Sequence, residues 1–459
     1  MKAVRQWSVR HAAGLERLYE AFAQLAPLLR PLATIIGKQG TERMLAPLER
    51  GAKQLMFDCR MCGTCVLRKT GMACPTNCGK SMRNGPCGGV RADGGCEVDP
   101  AMRCVWLEAR DGMRRISPHD ERTGSLPPID FSRRDRSTWI EVIDGAPERV
   151  QPPAPPPRDR PIHAFEAACR SGRFVTTVEI APPDSADPAA LLARAAIFAG
   201  LVDAMNITDG AGGNCHMSSA AAAAILAAHG HTPVCQIACR DRNRIAVQGD
   251  ILGAAALGVR NILCLTGDDV SQGDHPQAKP VFDLDAVNLL RIARDMRDKG
   301  EFASGRKLET PPDLFIGATA NPFAPPFDDR IDNLEMKIDA GAQFIQTQFC
   351  FDLDLFHRFM DVVRARGLHD RARMIVGVGT LSSVKALRWM AHHVPGVRIP
   401  DSVLARIAQA DDQRAEGVAV LEETIRKLRE IEGVAGVHLM GHRNEATLAE
   451  AIVRSGVRA

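Results

Sequence analysis

Phe174-Val-Thr-Thr-Val-Glu-Ile-Ala-Pro-Pro183 opens on aromatic and β-branched residues and closes on two prolines, so it reads as one short strand with a hard stop. A helix-length stretch over 187–199 follows, then a second β-rich run over 203–207, and the alternation continues to the end of the chain. Strands are expected at 174–180, 203–207, 233–238, 260–266, 313–318, 343–348, 373–378 and 436–440. Helices are expected at 187–199, 217–229, 242–257, 283–298, 329–340, 353–366, 383–393, 402–431 and 444–455. Eight strands separated by helices fit an α/β fold of the (β/α)8 TIM-barrel class. A doubly wound open sheet competes, but no Gly-x-Gly-x-x-Gly follows the first strand to support it.

Upstream of the barrel the character changes twice. Leu15, Leu18, Tyr19, Phe22, Leu25, Leu28 and Leu29 recur at helical spacing, so residues 1–50 read as helices that pack together or form an oligomer. From Phe57 to about Arg110 cysteine and glycine dominate, and so little apolar periodicity remains that the segment needs a staple to fold. The run Gln151-Pro-Pro-Ala-Pro-Pro-Pro157 is stiff and extended and reads as a boundary. The expected organisation is a helical segment at 1–50, a cysteine-rich domain at 51–112, a proline-rich linker at 113–164 and the barrel at 165–459.

Composition narrows the function class. Of the 459 residues 45% are hydrophobic and the formal net charge is only +3, which gives no reason to expect nucleic acid or an anionic membrane as partner. The start of the chain does not read as a signal peptide, and no apolar run reaches the roughly 18 residues a spanning helix needs, so a cytoplasmic protein is expected. Eight of the 14 cysteines fall between Cys59 and Cys104, and in a reducing compartment so dense a cluster points to metal.

Ligands of such a barrel meet the C-terminal strand ends. Those ends offer Glu179, then Asn206-Ile-Thr208-Asp209-Gly210, Gln236 with Cys239-Arg-Asp-Arg242, Thr266-Gly267-Asp268-Asp269, and Gln346-Thr-Gln348-Phe349. Glu179 stands apart as an acid between apolar neighbours. Turned into the barrel, it would be desolvated and its pKa raised, as a general acid at neutral pH requires. Taken singly, Glu179 also reads as an ion-paired strand-end residue, Asp268 as a turn cap and Gln348 as a satisfied barrel amide.

The order of motifs over 165–459 resembles the methylenetetrahydrofolate reductase family. The residues that carry the likeness are Glu179-Ile-Ala-Pro-Pro183, Gly267-Asp268, Asp339-Ala-Gly-Ala-Gln-Phe-Ile-Gln-Thr-Gln-Phe349, Val397-Arg-Ile-Pro400 and Gly436-Val-His-Leu-Met-Gly-His-Arg-Asn444. The resemblance implies a flavin, FAD or FMN, and interconversion of 5,10-methylenetetrahydrofolate and 5-methyltetrahydrofolate. It makes Glu179 the acid that protonates N10 of the folate. It sets Asp268 beside the flavin pyrimidine edge and the cationic folate, and gives Gln348 a hydrogen bond to the pterin. Thr208, with Asp209, Gln236, Thr266 and Gly267, would face the flavin, and Phe282, Asn333 and Lys337 would line its ribityl and phosphate tail.

Departures from the family pattern fall on nicotinamide use. Gln236 stands where a histidine-bearing motif is usual, Val376-Gly-Val-Gly-Thr380 replaces Pro-Gly-Ile-x-Pro, and a nicotinamide-stacking aromatic position aligns near Val384. Electrons would then come from NAD(P)H or from an electron-transfer protein.

The cysteine cluster reads Cys59-x-x-Cys62-x-x-Cys65, Cys74-Pro-x-x-Cys78, Cys87-Gly-Gly, Cys96 and Cys104. The opening triplet has ferredoxin spacing, and eight thiolates satisfy two four-iron clusters or two tetrahedral zinc ions. Gly71-Met-Ala-Cys-Pro-Thr-Asn-Cys-Gly-Lys80 through Asn84-Gly-Pro-Cys-Gly-Gly89 resembles the small partner subunit of acetogen methylenetetrahydrofolate reductases. That likeness favours iron–sulfur over zinc, because electron relay explains both the cysteines and the altered nicotinamide positions. A methyl-transfer module using a folate- or corrinoid-linked barrel without flavin is the competing reading.

Overall fold

The computed structural model describes residues 2–117, 124–146, 154–327, 330–394, 396–441 and 444–458. The first three residues of the proline run and the His442-Arg443 pair of the last-strand motif lie outside these. The chain forms two compact units, one of residues 1–86 and 94–153 and one of residues 87–93 and 154–459.

The first unit is helical around the cysteine-rich loops. It contains α1 (Lys2–Arg10), α2 (Ala12–Leu25), α3 (Arg30–Ile36), α4 (Lys38–Phe57), α5 (Val105–Ile116) and α6 (Trp139–Asp144). Helix α4 runs through the boundary expected at residue 50, and α5 through the one expected at 112. The expected linker over 113–164 is built on as well: Arg30 Nε donates to the Ile143 carbonyl at 2.7 Å, and the side chain of Ile143 in α6 is buried. Glu49 fixes that end of the unit, accepting from Ser137 Oγ at 2.5 Å and from the Trp139 amide at 3.2 Å.

The second unit is a closed parallel barrel of β1 (Val175–Ile180), β2 (Ala204–Ile207), β3 (Pro233–Ala238), β4 (Asn261–Leu265), β5 (Phe315–Ala320), β6 (Phe344–Phe349), β7 (Arg373–Gly379) and β8 (Val434–Met440). Strand β1 closes on β8 with Val175 opposite Gly436. All eight strands were anticipated to within about three residues, the scatter normal for element ends. The helices of this unit are α7 (Ala164–Arg170), α8 (Ala189–Ala196), α9 (Ser219–Ala228), α10 (Arg244–Ala256), α11 (Ala286–Asp298), α12 (Arg330–Asp339), α13 (Leu353–Ala365), α14 (Leu368–Arg371), α15 (Val384–His393), α16 (Asp401–Gln409), α17 (Gln413–Arg429) and α18 (Glu445–Ser455). Their starts are chemically marked, Ser218 capping the Ala221 amide and Asn243 those of Ile245 and Ala246. The single helix expected over 402–431 is two helices. Asp412 breaks it, turning its carboxylate onto the amides of Arg414 and Ala415 at 3.0 Å as an N-cap.

The barrel interior is layered. At the N-terminal end Phe165 of α7 plugs the bore, its ring 5.7 Å from that of Phe315 and 5.4 Å from that of Phe344. Gly317 is obligatory there, because a Cβ would stand 2.2 Å from the Phe344 ring. One layer up the contents become polar. Asn206 Nδ2 donates to Gln346 Oε1 at 2.5 Å across the bore, and Gln346 Nε2 donates to Thr177 Oγ1 at 3.2 Å. Thr177 Oγ1 also lies 2.9 Å from His438 Nδ1, and burial pushes that imidazole down to a pKa of about 3, so it stays neutral.

Candidate functional site

Period-2 alternation above the polar layer decides what the barrel mouth contains. Thr177 and Asn206 point inward, so Glu179 and Thr208, two residues further along, point inward one layer nearer the C-terminal ends. Glu179 lies opposite Asn206 in the β1–β2 register. Gln236 of β3 reaches the same layer and hydrogen-bonds the Glu179 carboxyl. Gln348 lies where the β6–β7 register shifts, and its Oε1 accepts from the Phe349 amide at 3.0 Å.

The electrostatics of Glu179 suit an acid. Burial first, and the negative charge of Asp268 second, push its pKa up to about 7, against the opposing hydrogen bond from Gln236. Asp268 itself is exposed in the loop after β4, where its Oδ2 accepts from the Gly212 amide at 2.8 Å. A carboxyl poised near neutrality therefore feels a second carboxyl at the mouth, an arrangement that can deliver a proton near neutral pH and stabilise a cation.

The remaining positions fall into two groups. Asp209 and Thr266 are engaged by the scaffold. Asp209 accepts from the Ala238 amide at 2.8 Å and from Arg242 Nη1 at 2.6 Å, while Thr266 Oγ1 accepts from the Ala286 amide at 3.3 Å at the start of α11. Thr208, Gly267 and Lys337 carry features of a different kind. Thr208 Oγ1 is buried without a hydrogen-bond partner, a state a ligand would relieve. Gly267, at φ 96°, packs its Cβ side against the chain itself, since a Cβ would stand 2.9 Å from Arg240 Cβ and 3.3 Å from Ala238 Cβ. Burial, helped by the neighbouring Arg330, pushes Lys337 down to about 8, although its Nζ donates to the Thr319 carbonyl at 2.6 Å. A bound anion would stabilise that charge. Phe282 is buried with a left-handed backbone at φ 41°, and Asn333 is buried on α12. These features fit a planar, hydrogen-bonding cofactor with an anionic tail.

Sequence reasoning named Asn206 and Gln346 as strand-end residues but did not join them with Thr177 and His438 into one layer. Its signal was present: polar residues at inward positions of four strands, one step below each strand end.

In the first unit Cys59, Cys62, Cys65 and Cys74 line one common cavity. Cys78 is half-buried near Cys96 and Cys104, with its thiol pushed up to about 12 chiefly by desolvation. Cys87 belongs to the barrel unit, where Arg330 Nη1 donates to its carbonyl at 2.7 Å. Among the described residues no three His, Cys, Asp or Glu side chains converge on a single ion position. Cys59, Cys62, Cys65 and Cys74 are nonetheless four cysteines that share a single cavity lining.

Comparison with known proteins gives the family. A family model described as methylenetetrahydrofolate reductase matches residues 164–456. A second, described as methylene-tetrahydrofolate reductase C terminal, matches residues 38–132, which include all eight clustered cysteines. "Methylenetetrahydrofolate reductase 1" of Schizosaccharomyces pombe is 25% identical over 55% of this chain and 40% of its own length. "5,10-methylenetetrahydrofolate reductase" of Pectobacterium carotovorum is 28% identical over 44% of this chain and 62% of its own length. The match thus spans well under half of the yeast relative. A solved Clostridium thermocellum protein that binds two copies of 5-methyl-5,6,7,8-tetrahydrofolic acid covers 64% of this chain and 98% of its own, at 13% identity and a TM-score of 0.44, too slight a likeness to argue from. Among the described residues no helix is long and apolar enough to cross a membrane. With the first model covering well over half of its length, the chain belongs to the methylenetetrahydrofolate reductase family.

Proposed function

We propose that this chain is a flavin-dependent methylenetetrahydrofolate reductase that interconverts 5,10-methylenetetrahydrofolate and 5-methyltetrahydrofolate, with electrons relayed through metal clusters in its first unit. The observation that carries the reading is the half-buried Glu179 carboxyl near the C-terminal end of β1, poised near pKa 7 by desolvation and by Asp268. In the reductive direction Glu179 donates its proton to N10 of the folate. The C–N10 bond breaks, and the methylene carbon becomes an N5 iminium. Asp268 supplies the negative charge that stabilises this cation. The flavin, when bound, supplies the hydride that the methylene carbon accepts. In the oxidative direction Glu179, as carboxylate, takes the proton back from N10 as the ring closes.

Thr208 and Gly267 would hold the flavin ring system, the first through its spare hydroxyl and the second through its backbone. Lys337, with Asn333 and Phe282, would hold the tail, a buried ammonium being a natural partner for phosphate. Gln348 would orient the pterin. Cys59, Cys62, Cys65 and Cys74 would hold one four-iron cluster, with Cys78, Cys96 and Cys104 among the ligands of a second, and with NAD(P)H or an electron-transfer protein as the external partner.

The test is anaerobic purification followed by titration with 5-methyltetrahydrofolate. Bleaching of a bound flavin chromophore by the folate is the expected result. Glu179→Gln should keep the flavin and lose the bleaching. A colourless protein that still moves methyl groups would instead establish the flavin-free transferase.

A further inference from the structure

The sulfurs around the Cys59–Cys74 cavity do not have equivalent partners. Cys59 Sγ accepts from the Met61 amide at 3.3 Å, and Cys62 Sγ from Thr64 Oγ1 at 3.6 Å. Cys74 Sγ lies 3.1 Å from Thr76 Oγ1. Each of these partners sits two residues from its cysteine. Cys65 differs: Lys53 Nζ, twelve residues away on α4, reaches its sulfur at 3.4 Å. The ammonium is buried and held in place, donating to Glu49 Oε1 at 2.5 Å and to Thr138 Oγ1 at 2.8 Å. Glu49 is buried too, and is fixed by Ser137 and Trp139 as described above. A buried Glu–Lys pair is costly to assemble, and nothing in helix packing requires it to face a thiol.

We propose that Lys53 is a tuning residue for the cluster held by Cys59, Cys62, Cys65 and Cys74, setting its reduction potential through a charge-assisted hydrogen bond to the Cys65 thiolate, with Glu49 moderating that charge. The inference rests on the iron–sulfur reading above. Reduction adds one electron to the cluster and its thiolates. A neighbouring cation and an N–H···S hydrogen bond favour that more negative form and so raise the potential. Glu49 places a negative charge beside the same ammonium and opposes the effect. The sequence shows only an i, i+4 Glu–Lys pair on a helix, a pattern that ordinarily lies in solvent.

The experiment is potentiometric titration of the full chain, purified anaerobically, followed by electron paramagnetic resonance and by iron and zinc analysis. Lys53→Met should move the midpoint of one cluster to more negative potential and leave the other in place. Glu49→Gln, which keeps the cation and removes its counter-charge, should move the same midpoint the opposite way, and Lys53→Arg should stay near wild type. Unmoved midpoints in variants that keep their iron overturn the proposal. If Lys53→Met loses one cluster's iron, Glu49→Gln decides alone, and a negative or absent shift there refutes it. Zinc without iron in the wild-type protein overturns it as well, and marks the failure as that of the cluster reading.

Discussion

Gln236 of β3 hydrogen-bonds the carboxyl of Glu179 on β1, and it opposes the two influences, burial and Asp268, that raise this acid to about pKa 7. The two neighbours therefore pull the acid in opposite directions. Removing the amide in Gln236→Leu should raise the Glu179 pKa further, keeping the acid protonated to higher pH. Asp268→Asn should lower it. In the reductive direction the alkaline limb of the pH–rate profile moves up in the first variant and down in the second. Limbs that move together, or not at all, refute the assignment of Glu179 as the proton donor.

The same shift has a consequence for stability. Glu179 titrates near 7 in the fold against 4.5 unfolded, so the folded state holds the proton more tightly. The stability this contributes is fully present below about pH 4.5 and is lost as pH rises through 7. By pH 8 the half-buried carboxylate costs about 3 kcal/mol relative to a neutral group. Glu179→Gln should accordingly melt higher than wild type at pH 8 and close to it at pH 5, read by urea or thermal unfolding at the two pH values.

The barrel was readable in the sequence because parallel strands are buried on both faces and appear as compact β-branched runs between turns. Glu179 was readable for a related reason, being a charge where such a run allows none. What was not readable depends on partners distant in the chain. The pKa of Glu179 is set by Gln236 and Asp268, from β3 and the loop after β4. Asn206 and Gln346 meet across the bore, 140 residues apart. The burial of the Glu49–Lys53 pair depends on Ser137, Thr138 and Trp139, 85 to 90 residues further along the chain. The break between α16 and α17 was missed because Asp411-Asp412 reads as polar helix surface, and only the cap geometry shows that Asp412 starts a helix.

Lys337 gives a prediction with two readouts of opposite sign. Its ammonium is pushed down to about 8, first by burial and then by Arg330, so at pH 7 the protein without ligand holds a costly buried charge. Lys337→Met should remove that cost and make the flavin-free protein more resistant to heat at pH 7. The same variant should bind flavin more weakly, by roughly tenfold or more, for loss of one charge-assisted hydrogen bond to the tail. Calorimetric melting of the apoprotein and fluorescence titration with flavin check the two parts separately. A variant that is stabilised yet binds flavin as wild type does would leave Lys337 as scaffold only.

The polar layer beneath the site yields a prediction about coupling. Gln346 satisfies both ends of the Asn206 amide, through bonds of 2.5 and 3.1 Å, and also donates to Thr177. Gln346→Leu strands a buried amide and should destabilise the fold by about 1–3 kcal/mol. Asn206→Leu should cost a similar amount, because it strands the other partner. The pair of substitutions leaves no orphaned amide and refills the layer with apolar groups, so its cost should fall clearly below the sum of the two. Urea unfolding of the four proteins measures this as a double-mutant cycle. Additive costs would mean that the two amides are held independently. Glu179, the register partner of Asn206 in the β1–β2 pairing, would then stand beside a platform whose halves can move apart.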